Sequence, residues 1–76
     1  VIKPGQLVRI RQNLAFVWTT DLRTGDRFSF CSDEVGLYLN WGGSKNNGAI
    51  QLAHILIGDV KVSVEEKFIE PFQFNS

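Results

Sequence analysis

Ala49-Ile50-Gln51-Leu52-Ala53-His54-Ile55-Leu56-Ile57-Gly58-Asp59-Val60-Lys61-Val62-Ser63-Val64 is the stretch that decides the fold. Two runs rich in β-branched residues flank a two-residue connection with Gly first. Such a connection suits a type II′ turn, whose twist matches the strands it joins. Pairing Ile57 with Val60 sets Ala53, Ile55, Ile57, Val60, Val62 and Val64 on one face. His54, Leu56, Lys61 and Ser63 fall on the other, because side chains alternate along a strand. A helix is hard to sustain, since no window repeats its apolar residues at three and four.

Downstream, Glu65-Glu66-Lys67-Phe68 is too short for an α-helix and suits one 3₁₀ turn. Ile69-Glu70-Pro71-Phe72 then reads as a last short strand, at a sheet edge because Pro71 has no N–H to give. Upstream, Val35 to Trp41 is a strand with Val35, Leu37, Leu39 and Trp41 on one side and Gly36, Tyr38 and Asn40 on the other. Gly36 inside it signals a bend or a close backbone approach. Between these strands Gly42-Gly43-Ser44-Lys45-Asn46-Asn47-Gly48 has almost nothing to bury and is expected to be a mobile, exposed loop.

Near the start, Pro4-Gly5 is a turn, and Gln6 to Gln12 is a strand with Val8 and Ile10 inward and Arg9 and Arg11 outward. Asn13 to Asp33 is the ambiguous part. Leu14 to Thr20 and Arg27 to Cys31 both favour a pleated surface, and Asp21 to Asp26 between them is a polar tip. They are expected to form an irregular hairpin folded over the barrel as a long loop. The sum is one all-β domain over residues 1–76, a small barrel of about five strands with a long first excursion.

Three of these blocks carry a resemblance. Lys3-Pro4-Gly5-Gln6-Leu7-Val8-Arg9-Ile10, Val35-Gly36-Leu37-Tyr38-Leu39, and His54 to Phe72 look like the opening strand, second strand, final hairpin, 3₁₀ turn and closing strand of SH3-like barrels. They cover about half the chain, and the overall look is that of short, uncharacterised SH3-like proteins of tailed bacteriophages, marine cyanophages especially. The resemblance implies an SH3-like barrel and a phage-encoded protein acting inside the host cell, with the virion as another possible place. It implies no activity, since such barrels host many unrelated functions.

Composition narrows the function classes. Eight basic and eight acidic residues cancel, so the long-range positive field that carries nucleic-acid binding is missing. Cys31 is the only cysteine, which rules out an internal disulfide. It is expected to act as a small apolar residue. No apolar run approaches the ~20 residues of a membrane helix. The opening Val-Ile-Lys-Pro-Gly does not resemble a signal peptide, and the missing Met suggests a processed end. A soluble intracellular protein is the default expectation.

No catalytic, cofactor or metal constellation is expected. His54 is the only histidine and is expected on a strand surface. Asp33-Glu34 and Glu65-Glu66 read as solvated turn charges. Gly42-Gly43-Ser44-Lys45 lacks the spacing and the following helix of a phosphate loop.

The aromatics are the most informative candidates. Phe16, Trp18, Phe28, Phe30, Tyr38 and Trp41 concentrate around the first excursion. Either they form a second small core there, or Phe16, Trp18, Tyr38 and Trp41 with Arg9 and Arg11 make a surface for a protein partner. With Arg23 and Arg27 added, the same surface offers stacking and phosphate contacts to nucleic acid. Leu56, Phe72 and Phe74 are surplus apolar residues, expected to support self-association.

Overall fold

Alternation along short, β-branched segments produces one seven-stranded antiparallel sheet. Its strands are β1 (Leu7–Ile10), β2 (Phe16–Asp21), β3 (Arg27–Cys31), β4 (Gly36–Lys45), β5 (Ile50–Ile57), β6 (Val60–Glu65) and β7 (Ile69–Pro71), with a 3₁₀ turn over Glu66–Phe68. The structure is a computed structural model that describes residues 2–73. Strand order is β3-β2-β6-β5-β4-β1-β7, and the sheet curls into a half-barrel. Seven strands replace the expected five, because the first excursion is regular sheet rather than a loop draped over a barrel. Among the described residues no helix is long and apolar enough to cross a membrane.

The final hairpin has the expected register, Ile57 opposite Val60 through Ala53 opposite Val64. Gly58 takes φ +63° while Asp59 has no positive φ, the pattern a type II′ connection requires. Ala53, Ile55, Ile57, Val62 and Val64 are buried. Val8, Ile10 and Ile69 join them from β1 and β7. From the first hairpin, Phe30 is fully buried and Val17 nearly so. Burying each such side chain stabilises the fold by about 1.5–3 kcal/mol, so Phe30 makes the hairpin part of the one core. Thr19, also buried, donates its hydroxyl to the Phe28 carbonyl at 2.6 Å and leaves no polar atom unpaired.

β4 departs most from expectation. Its inward side is Gly36 and Tyr38, and the apolar row Val35, Leu37 and Leu39 is not the core side. Gly36 is a close approach as expected: a Cβ there would lie 3.3 Å from the Leu56 carbonyl oxygen. β4 then runs on through Gly42-Gly43-Ser44-Lys45, so the exposed loop shrinks to a tight turn at Asn46, Asn47 and Gly48, all at positive φ. Two irregularities keep it paired with β5, one between Tyr38 and Asn40 and one between Trp41 and Ser44. The second sets Gly42 and Gly43 against Leu52, and Gly43 supplies the φ of +98° that bulge needs. Gly42 has a separate reason: a Cβ there would come within 2.5 Å of the His54 ring, which lies across it.

Candidate functional site

Register places the outward side chains in rows across the sheet, since residues opposite one another on one face are neighbours. One row runs Leu7, Leu37, Leu56 and Lys61 across β1, β4, β5 and β6. Phe72 extends it, because its N–H bonds the Leu7 carbonyl at 2.9 Å. The next row is polar: Asn40, His54, Ser63, Thr20 and Arg27. Beyond it lie Leu52, Glu65 and the aromatic side of the first hairpin.

That hairpin sorts the aromatics by parity. Phe30 goes into the core and Phe28 packs half-buried against it. Phe16 and Trp18 alternate with buried Val17 and Thr19, so they point outward and are 48% and 56% exposed. Their rings meet edge to face, with centroids 5.4 Å apart and planes at 84°. Arg27 lies over the Trp18 ring at 5.9 Å, within cation–π reach. Shallow hollows on either side bring Leu14 and Phe68, and Lys45, Ile50 and Leu52, to the same rings. The result is an apolar centre with Arg27, Lys45 and Glu65 at its rim.

Tyr38 does not belong to that surface. It is 4% exposed, a core residue whose hydroxyl donates to Glu66 Oε1 at 3.2 Å. Burial first, then the charge of Glu66, pushes its pKa above the ordinary 10.0. Trp41 is 58% exposed but stands on the opposite parity from Trp18, opposite buried Ala53. Trp41 and the Tyr38 hydroxyl share a separate cavity of about 500 Å³ with Ile2, Pro4, Asn40, Gln51 and Glu66. The expected aromatic surface is therefore two surfaces on two sides of the sheet, and one expected member is core.

The arginines divide in the same way. Arg9 pairs with Glu70 at 3.0 Å, directly across the β1–β7 ladder, and lies over the Phe72 ring at 5.8 Å. Arg11 donates to the Lys67 carbonyl at 2.8 Å and stands 3.9 Å from Glu70. Both are tied to the closing strand, and neither contributes to the Phe16–Trp18 patch. Arg23 sits at the hairpin tip beside Asp21, Asp59 and Lys61. Among the described residues no continuous basic face joins these three to Arg27.

Of the self-association candidates, Leu56 and Phe72 are half-buried and fall on one row through Leu7 and Leu37, while Phe74 lies outside the described residues. The sheet edges add little to that surface. On β7, Pro71 has no N–H and Ile69 gives its own to Glu66. On β3, Glu34 closes one end, its carboxylate accepting the Cys31 N–H at 2.9 Å and its N–H donating to the Cys31 carbonyl at 3.0 Å. Cys31, Asp33 and Glu34 bring one donor atom each within 4.8 Å of one another. One Glu34 oxygen is already held by the Cys31 amide, and only proximity points to an ion.

Reading the sequence alone missed Gln51 and Glu66, which matter only because β4 and β5 continue past Trp41 and the 3₁₀ turn folds back over Tyr38. It also missed Leu7 and Leu37, which acquire a surface role through register. Comparison of the chain with protein-family models, with curated proteins and with solved structures finds no match.

Proposed function

We propose that the chain is a non-enzymatic interaction module of SH3-like kind, phage-encoded, that docks a protein partner through the outward side of its first hairpin. The observation that carries this is the Phe16–Trp18 pair. Two large rings stand about half exposed, locked against each other and under Arg27, on strands whose opposite side is anchored in the core. Rigid, partly exposed aromatics ringed by mixed charge are the usual anchors of protein–protein interfaces. A nucleic-acid reading is weaker: the net charge is zero, and Arg9 and Arg11 are engaged by Glu70 and a backbone carbonyl. The test is a display selection of random peptides on the wild-type domain, followed by the Phe16→Ala/Trp18→Ala variant. Selected peptides should lose binding to the variant by at least about tenfold, the loss of one hot spot. Binders indifferent to both rings, or salt-sensitive capture of a labelled oligonucleotide instead, would reject the reading.

A second reading, self-association, has one observation in its favour: the half-buried row Phe72, Leu7, Leu37 and Leu56 on the outer face. Association would then proceed by side-chain contact, since the β7 edge gives no outward N–H for strand pairing. Sedimentation equilibrium over a wide concentration range decides it, with a strictly monomeric mass of 8.6 kDa counting against.

A further inference from the structure

The cavity beside Trp41 is independent of the hairpin surface and has a chemistry of its own. Three features define it. The first is an oriented aromatic panel: Trp41 is 58% exposed, and its indole N–H donates to Gln51 Oε1 at 2.9 Å. Gln51 is held in turn, its amide donating to the Gly48 carbonyl at 2.9 Å across the β4–β5 turn. The indole is thereby fixed with its ring presented rather than folded away. The second is charge: Glu66 is the only charged residue lining this cavity. Among the described residues no Lys, Arg or His lies within ion-pair distance of its carboxylate, and its one side-chain bond is from the neutral Tyr38 hydroxyl. The third is shape: Ile2 and Pro4 supply an apolar wall, and about 500 Å³ is the size of a binding cleft. A second hollow of about 330 Å³ shares Gln51 and Glu66 with it and is lined further by Ala49, Ile50, Glu65 and Lys67, whose ammonium stands 3.6 Å from Glu65.

We propose that this cleft binds an arginine side chain presented by an extended segment of a partner protein. A planar guanidinium stacks on an indole face and meets a carboxylate with two parallel N–H donors, which a compact ammonium does less well. The aliphatic stem fits the Ile2–Pro4 wall. The neighbouring hollow beyond Gln51 favours a peptide over a free small cation, because the two spaces together exceed one side chain. Asn40 and Gln51 also border this space.

The test uses the full chain carrying Trp18→Phe, which leaves Trp41 as the only tryptophan and keeps an aromatic ring at position 18. Acetyl-Gly-Arg-Gly-amide is titrated while Trp41 emission is followed, with the citrulline peptide as the neutral isostere and the lysine peptide alongside. A saturable change is expected for the arginine peptide, with the lysine peptide weaker. The citrulline peptide should bind at least about tenfold more weakly, the loss of a charge-assisted hydrogen bond. Glu66→Gln keeps an acceptor for Tyr38 and should weaken the arginine peptide by a similar factor. The citrulline comparison needs no Glu66 variant, so it stands even if that variant misfolds. Equal binding of the two peptides, a folded Glu66→Gln protein with unchanged affinity, or no saturable response would each overturn the assignment. A failure here leaves the hairpin surface untouched, since that surface is read through Phe16 and Trp18.

Discussion

The five-strand body β6-β5-β4-β1-β7 and the β2–β3 hairpin are built from similar residues but held in different ways. Within the body, β5 and β6 share an unbroken ladder from Leu52 opposite Glu65 to Ile57 opposite Val60. The hairpin joins β6 at Thr20 opposite Ser63 and Asp21 opposite Val62, and by its inward side chains Val17, Thr19 and Phe30. A region joined by so short a ladder depends on packing to stay in place. It is also free to turn its other side outward. The aromatic pair Phe16–Trp18 is exposed because it alternates with buried Val17 and Thr19 and so faces outward. The difference teaches where core and surface part company in this chain: the hairpin is core on one face and exposed aromatic surface on the other.

Removing the hairpin's anchor should have the largest effect. Phe30→Ala empties a fully buried site and is expected to cost about 3–5 kcal/mol, a large share of the stability of so small a domain. Urea denaturation measures it. A loss under about 1 kcal/mol, the scale of a surface change, would mean that the hairpin is not packed into the core.

The body has its own weak points. Gly42→Ala brings a methyl within 2.5 Å of the His54 ring and should cost about 1–3 kcal/mol by overpacking. His54→Ala should relieve part of that loss in the double variant. Strict additivity of the two changes would contradict the extension of β4 through Gly42. Gly58→Val is expected to cost about 1–3 kcal/mol through its φ of +63° alone, since a Cβ there meets nothing within 4 Å. Asn at the same place should be milder, because Asn tolerates that region. Equal melting temperatures for Gly, Asn and Val would remove the type II′ turn.

How much of this was legible in the sequence follows from the same division. Val60 to Val64 alternates over a tight turn, so its face and register could be read directly. β4 could not be read so simply. Glycines 42 and 43 look like a loop, yet Gly43 serves a bulge and Gly42 seats His54. The Asn47-Gly48 dipeptide was the better turn signal. The Tyr38–Asn40 irregularity moves Trp41 to the opposite parity, which strict alternation had placed with Leu37 and Leu39. For the hairpin, the two strands and polar tip were visible, but their attachment to β6 was not, because its pairing partners lie far away in the chain. The candidate site was legible only in part: the sequence left Phe16 and Trp18 open between a second small core and a surface, did not mark Tyr38 as core, and did not reveal Gln51 and Glu66 at all.

A smaller effect concerns the body's rim. The folded state favours the neutral Tyr38 hydroxyl, whose pKa is raised above 10.0. Its contribution is therefore fully present below pH 10.0 and is lost as pH rises through the folded-state value. Between pH 10.0 and that value the stability of the wild type should fall more steeply than that of Tyr38→Phe. Parallel curves would show that burial and Glu66 do not act on this group.

The most direct test of the division between anchor and surface is the denaturation midpoint of Phe16→Ala/Trp18→Ala beside that of Phe30→Ala. Although it removes two rings, the double variant should lose less, about 2 kcal/mol, from the edge-to-face contact and the covered half of each ring. A loss matching the about 3–5 kcal/mol of Phe30→Ala would mean that Phe16 and Trp18 are core, and would contradict the account.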